Sequence, residues 1–165
     1  FFGARLKRPS KLKPHRPVRA PVKGGTAPDK ASTDKAAQTL VDTAQLEALR
    51  DTIGDAFEQA LQIYFESLEA YLKELKEGLV EGDMEKIIRP AHNVRSMSAQ
   101  FGAKPLSKLA GQVESQSLKI AEFMKADKPD PLATQGMNDI KESGQKLLTL
   151  YNETRKVYAK LPKMN

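Results

Sequence analysis

His92 lies in a helical stretch with Arg89 three residues before it and Arg95 three residues after it, and this trio is where the chain could do chemistry. Residues three and four apart are neighbours on a helix, so Arg89, Arg95, Ser96 and Ala99 project with the imidazole. Met84, Ile87, Ala91, Val94, Ser98 and Phe101 recur at alternating steps of three and four and form a separate stripe, predicted to be buried. His92 falls off that stripe, which predicts an imidazole open to solvent and to another macromolecule. Near neutral pH such an imidazole offers an unprotonated ring nitrogen, a nucleophile. Neighbouring guanidiniums can stabilise anionic oxygens by charge-assisted hydrogen bonds, with Arg95 the first choice, Arg89 the second, and Ser96 or Gln100 as ring-orienting or donor groups. Ser98, on the inner stripe, is expected to bond back to its own helix backbone.

The elements that must hold this histidine are all helices. From about residue 40 onward the apolar pattern keeps a helical period, with turn signals only where helices should end. A short helix is predicted over residues 44 to 52. A long one follows Gly54-Asp55, with Phe57, Leu61, Tyr64, Leu68, Leu72, Leu75 and Leu79 inward. Gly82-Asp83 ends it and opens the histidine helix, Asp83 serving as N-cap, and Gly102 stops that helix after Phe101. Pro90 lies inside it and is expected to bend it or loosen its first turns. Pro105 opens the next helix, with Leu106, Leu109, Val113, Ile120 and Phe123 inward, before the breaker Lys128-Pro129-Asp130-Pro131. The last helix takes Met137, Ile140, Leu147, Tyr151, Tyr158 and Leu161. Short connections between four long amphipathic segments predict an all-α fold, an antiparallel up-down-up-down four-helix bundle with the short extra N-terminal helix capping one end.

Charge divides the chain in two. Residues 1 to 30 hold nine basic residues against Asp29 alone, a balance of +8, while the remaining 18 basic and 20 acidic residues give −2. Five prolines interleave the basic residues, and almost no apolar periodicity is present, so residues 1–40 read as a disordered linker or tail and residues 41–165 as the bundle. The tail has two other readings: the cytoplasmic edge of a membrane tether upstream of residue 1, and a nucleic-acid contact. No aromatics interleave the charges for base stacking, which argues against specific nucleic-acid binding. The chain opens on Phe1-Phe2-Gly3 without a Met, as expected for a processed product or, as the favoured reading, a piece of a longer protein. It has no cysteine, which removes disulfides, thiol nucleophiles and Cys-based metal sites. His15 and His92 are too far apart in sequence for a helical zinc pair, and Glu66, Glu69, Glu74 and Glu77 read as solvated faces, so no metal site is expected. Gly24-Gly25 lacks a preceding strand, so no phosphate-binding loop is expected either.

The run His92-Asn93-Val94-Arg95-Ser96-Met97-Ser98-Ala99-Gln100-Phe101-Gly102-Ala103, followed by Leu106, Leu109 and Val113-Glu114 and preceded by Gly82-Asp83, resembles the signature of histidine-containing phosphotransfer (HPt) domains of bacterial multistep phosphorelays. The likeness spans roughly residues 42 to 125, and extends to the last helix by pattern alone. Arg95 stands where the family more often has Lys, and Ser96 where it more often has Gly; charge and small size are kept. The resemblance implies that His92 is the phosphoacceptor, Arg95 and Ser96 its supporting residues, and Arg89, Ala99 and Gln100 part of the binding surface. It implies as partners the receiver domains of response regulators, which bring the Mg²⁺, so that this chain needs no cofactor. It further implies a cytoplasmic module without ATP-dependent kinase activity of its own, with an inner-membrane hybrid sensor histidine kinase, of which it would be the cytoplasmic part, as one parent protein. The alternative is a helical-bundle scaffold or adaptor that shares the fold and transfers nothing; it would tolerate a buried His92, whereas a relay needs the ring exposed.

Overall fold

Among the described residues, the breaks predicted at Gly54, Gly82 and Gly102 are breaks in the chain's path. The computed structural model describes residues 40–126 and 131–161. Within them α1 covers Thr43–Ile53, a 3₁₀ turn Gly54–Ala56, α2 Phe57–Glu81, α3 Glu85–Gln100, α4 Lys104–Met124 and α5 Pro131–Lys160. The readings of residues 1 to 39, His15 included, and of the breaker up to Asp130 lie outside the described residues.

Turn chemistry explains the breaks. Asp42 caps α1 by accepting from Gln45 N at 3.1 Å, and the hydrogen bond from Lys104 holds its carboxyl below the usual carboxylate range. Gly82, at φ 71°, closes α2 in the left-handed conformation that glycine adopts without a Cβ penalty. Asp83 Oδ1 then accepts from Glu85 N at 3.0 Å and Lys86 N at 3.4 Å, so it caps α3 as expected. α3 continues through Pro90, which is buried. At its far end Gly102 has φ 76°, and Ala103 N donates to Ser98 O at 2.9 Å. A side chain at Gly102 would meet Asp42 O at 2.8 Å, so glycine also permits the backbone contact that ties α1 to the α3–α4 turn, Asp42 N to Gly102 O at 2.8 Å.

Consecutive helices pack against each other, α2 on α3, α3 on α4 and α4 on α5, and α5 closes less tightly onto α2; α1 packs on α2 at the end where α3 finishes. That is the up-down-up-down bundle with its extra helix at one end. The inner stripe of α3 is fully as predicted, with Met84, Ile87, Ala91, Val94, Ser98 and Phe101 all buried. On α4 the buried positions are Leu106, Ala110, Val113, Ser117 and Ile120. Phe123 corrects the prediction, because it is 41% exposed: it sits in the last turn of α4, beyond the end of the stripe at Ile120. Leu61, Leu109, Met137 and Leu161 are half-buried at the margin of the core rather than within it. Among the described residues no helix is long and apolar enough to cross a membrane.

Aromatic residues fill the end of the bundle where α3 stops. Tyr64 stacks on Phe101 with ring centroids 4.3 Å apart, and Tyr158 sets its ring edge-on to Phe65 at 5.1 Å. The Tyr158 hydroxyl donates to Phe101 O. Ser98, expected to bond to its own backbone, instead accepts from the Tyr64 hydroxyl at 3.2 Å, because a buried phenol requires a partner and Ser98 faces it across the core. Burial pushes the Tyr64 hydroxyl up to about 12, and pushes Tyr158 higher still. Unfolded tyrosine ionises at about 10. The stabilisation from keeping these phenols neutral is therefore complete below that pH and is lost as pH rises through the folded values. Thermal melts should show a midpoint that is level up to about pH 9 and several degrees lower by about pH 11.5. Tyr64→Phe should flatten part of that fall; an alkaline slope unaffected by it would contradict the assignment.

Candidate functional site

The site occupies the outer face of α3 where α4 crosses beside it. Ala91, Ser98, Ala110 and Ser117 put small side chains on the buried faces of the two helices, which allows a close approach. A long side chain just off the buried stripe of α4 can then reach the outer face of α3. Glu114, adjacent to the buried Val113, does so.

His92 is exposed, with 52% of its side chain accessible, while Glu114 beside it is only 12% accessible. His92 Nδ1 lies 2.8 Å from Glu114 Oε1. A carboxylate only accepts, so Nδ1 carries the proton and Nε2 is left as the lone-pair nitrogen. The second carboxylate oxygen, Oε2, lies 2.9 Å from Arg95 Nη1. That contact is ionic rather than a directed hydrogen bond: Oε2 is buried and has no hydrogen bond of acceptable geometry. One glutamate thus holds the ring in orientation with one oxygen and stores a guanidinium with the other.

The remaining predicted residues are close by, with different roles. Arg89 is exposed and pairs with Glu74 of α2 at 2.8 Å, so it faces away from the His92–Glu114 pair. Glu74, 28% accessible, therefore also links α2 to α3, and Glu69, 48% accessible, pairs with Arg155 of α5. Ser96 does not orient the imidazole: its hydroxyl donates to His92 O at 3.1 Å, bonding back to its own helix. Ala99 and Gln100 contribute carbonyls, both accepting from Gln45 Nε2, at 2.6 and 3.3 Å, which fastens α1 to the end of α3. Ser107 Oγ donates to Arg95 O at 2.8 Å and ties the start of α4 to the same segment. Among the described residues no group of His, Asp and Glu could hold a metal ion.

Glu114 is the residue that reading along the sequence did not assign to the site, although it was noted in the Val113-Glu114 pair. Its partner lies 22 positions away, so no local spacing links them. One signal was present: Glu114 is the sole acidic residue between Glu85 and Glu122, in a stretch with several basic ones.

The contact makes a testable claim. Glu114→Ala should free the imidazole to rotate and to exchange tautomers, visible in the ¹⁵N shifts of the ring, and slow any reaction at Nε2 by about 10- to 100-fold, the scale set by lost orienting partners of histidine. Glu114→Gln retains an acceptor and should keep the tautomer; equal ring spectra for wild type and Glu114→Ala would show that the carboxylate orients nothing.

The family model of the Hpt domain matches residues 59–125. That span runs from the first turn of α2 to just past the end of α4 and contains both His92 and Glu114. No curated protein and no solved structure matches the chain.

Proposed function

We propose, from the premise that residues 59–125 of this chain are an Hpt domain, the histidine phosphotransfer module of phosphorelays, that His92 is the residue that carries the phosphoryl group. The observation that supports this is the pairing of an exposed imidazole with a nearly buried carboxylate on Nδ1, which leaves Nε2 facing outward. Hpt domains work with receiver domains of response regulators, so the phosphoryl group reaches His92 from a receiver aspartate. The Nε2 lone pair attacks phosphorus; the Nε2–P bond forms as the bond between phosphorus and the aspartyl oxygen breaks, and that bond's electron pair stays on the aspartate carboxylate. No proton has to move. The ring retains its Nδ1 proton and becomes an imidazolium, whose new charge Glu114 stabilises.

Return to a second receiver aspartate is the same step in reverse, and the protonated ring keeps the phosphoryl group transferable. On this reading the receiver provides Mg²⁺ and its acidic pocket, and this chain provides nucleophile, orientation and a guanidinium. Arg95 is the cation that shares Glu114 with the ring, whereas Arg89, at the same sequence distance, is held by Glu74 and serves the docking surface with Ala99 and Gln100. The exposure of His92 favours a relay over the adaptor, which does not need an accessible ring. A hybrid histidine kinase as the parent protein, with residues 1–40 as linker and a membrane tether upstream, fits this role and is part of the proposal.

The test is incubation of the chain with phosphorylated receiver domains and Mg²⁺, following label into the chain. Acid-labile label on His92 supports the relay. A folded chain that takes no label from any receiver of its own genome points to the adaptor.

A further inference from the structure

This inference rests on the phosphotransfer reading above and deepens it. Arg95 is an unusual cation for a phosphoryl site, because in the unmodified chain it is already paired. Its side chain lies over Gly111 of α4: a Cβ at that position would stand 3.1 Å from Arg95 Cδ. Glycine in the interior of a helix is destabilising relative to alanine, and here it leaves room for the arginine stem. Arg95 is 47% accessible, while its partner Glu114 is 12% accessible, so of the two the arginine is the one free to move. The contact with Oε2 has ionic distance without hydrogen-bond alignment, so leaving it forfeits no directed bond.

Charge explains when it would leave. With a neutral imidazole, Glu114 carries one negative charge, and Arg95 balances it. Once Nε2 bears a phosphoryl group and Nδ1 keeps its proton, the ring is an imidazolium, and Glu114 is balanced through Nδ1. Arg95 is then in surplus beside Glu114, and a phosphoryl dianion without a counter-charge has appeared on the same ring. Arginine's planar fork suits such an oxyanion.

We propose that Arg95 exchanges partners during the transfer cycle, seated over Gly111 on Glu114 while His92 is unmodified and turned to the phosphoryl group once His92 carries one. Gly111 is thereby a positioning residue that acts through Arg95. The consequence is a site whose cation is withdrawn before transfer and delivered after it, so the phosphorylated and unmodified faces differ by a relocated positive charge as well as by the phosphoryl group.

The experiment uses the full chain, isotopically labelled, with phosphoramidate as a small phosphodonor whose P–N bond is exchanged for the Nε2–P bond with release of ammonia. His92→Gln establishes which residue is modified. The expected results are a shift of the Arg95 Nε–H resonance on phosphorylation, a ³¹P resonance of phosphorylated His92 that moves in Arg95→Gln, and loss of the Glu114-bound Arg95 signal from the unmodified Gly111→Leu chain. Gly111→Ala, which favours the helix, serves where the leucine variant does not fold. An Arg95 resonance unmoved by phosphorylation, or a ³¹P resonance indifferent to Arg95→Gln, overturns the exchange while leaving His92 as phosphoacceptor. No phosphoryl group on His92 from phosphoramidate or from any receiver overturns the phosphotransfer reading and the exchange with it.

Discussion

His92→Gln is expected to reduce acid-labile phosphoryl incorporation to background, a loss on the order of 10⁴-fold or more, because removal of a nucleophile eliminates the covalent intermediate rather than weakening it. Glutamine retains polarity and can still donate an amide N–H to Glu114, so the geometry around the carboxylate survives while the reacting nitrogen does not. The replaced side chain is half exposed and outside the core, and the change in unfolding free energy should stay within about 0.5 kcal/mol. Label transfer and a denaturant melt on the same sample separate these effects. Residual labelling near the wild-type level would remove His92 from the chemistry, and a large loss of stability would mean that the loss of label reports unfolding instead.

Ile87→Ala is expected to have the largest effect on stability. Ile87 is fully buried on the inner face of α3, where α2 comes so close that a Cβ on Gly78 would stand 3.0 Å from Ile87 Cγ1 and 2.9 Å from the Lys86 carbonyl carbon. Backbone at that distance cannot move in to fill a void, so the truncation should leave much of its cavity open and cost about 2–5 kcal/mol, against about 0.5–1.5 kcal/mol for Ile87→Val. For a bundle of this size the alanine variant should melt roughly 10 °C or more below wild type. Phosphoryl acceptance measured well below the melting temperature should be little changed, since Glu114 and α4 still set the ring. An Ile87→Ala midpoint within a degree or two of wild type would mean that α2 and α3 close up after all, contrary to the contact at Gly78.

These predictions differ in how far the sequence alone could have supported them. Ile87 was legible as core, because the three-four spacing of Met84 through Phe101 leaves a single helix face for it. The helix ends were legible too: Gly82, Asp83, Gly102 and Pro105 act through backbone conformation, capping and missing donors, all of them local effects. Phe123 was misjudged because periodicity carries no information about where a helix outruns the core it packs on. Ser98 was legible as buried but not as the partner of Tyr64, which lies 34 positions away.

What the sequence by itself determined is the set of helices, the inward face of each, and the exposure of His92 beside Arg89 and Arg95, since these follow from short-range spacing and backbone chemistry. Only the tertiary structure decided which cation shares a carboxylate with the histidine. The approach of α4 to α3 brings Glu114 to His92 Nδ1 and to Arg95, and the approach of α2 brings Glu74 to Arg89. Two arginines at equal sequence distance from the same ring are thereby given different partners. Charges on separate helices are paired by helix packing, and that depends on the volumes of Ala91, Ala110 and Gly78 at the helix contacts, which no pattern within a single helix encodes.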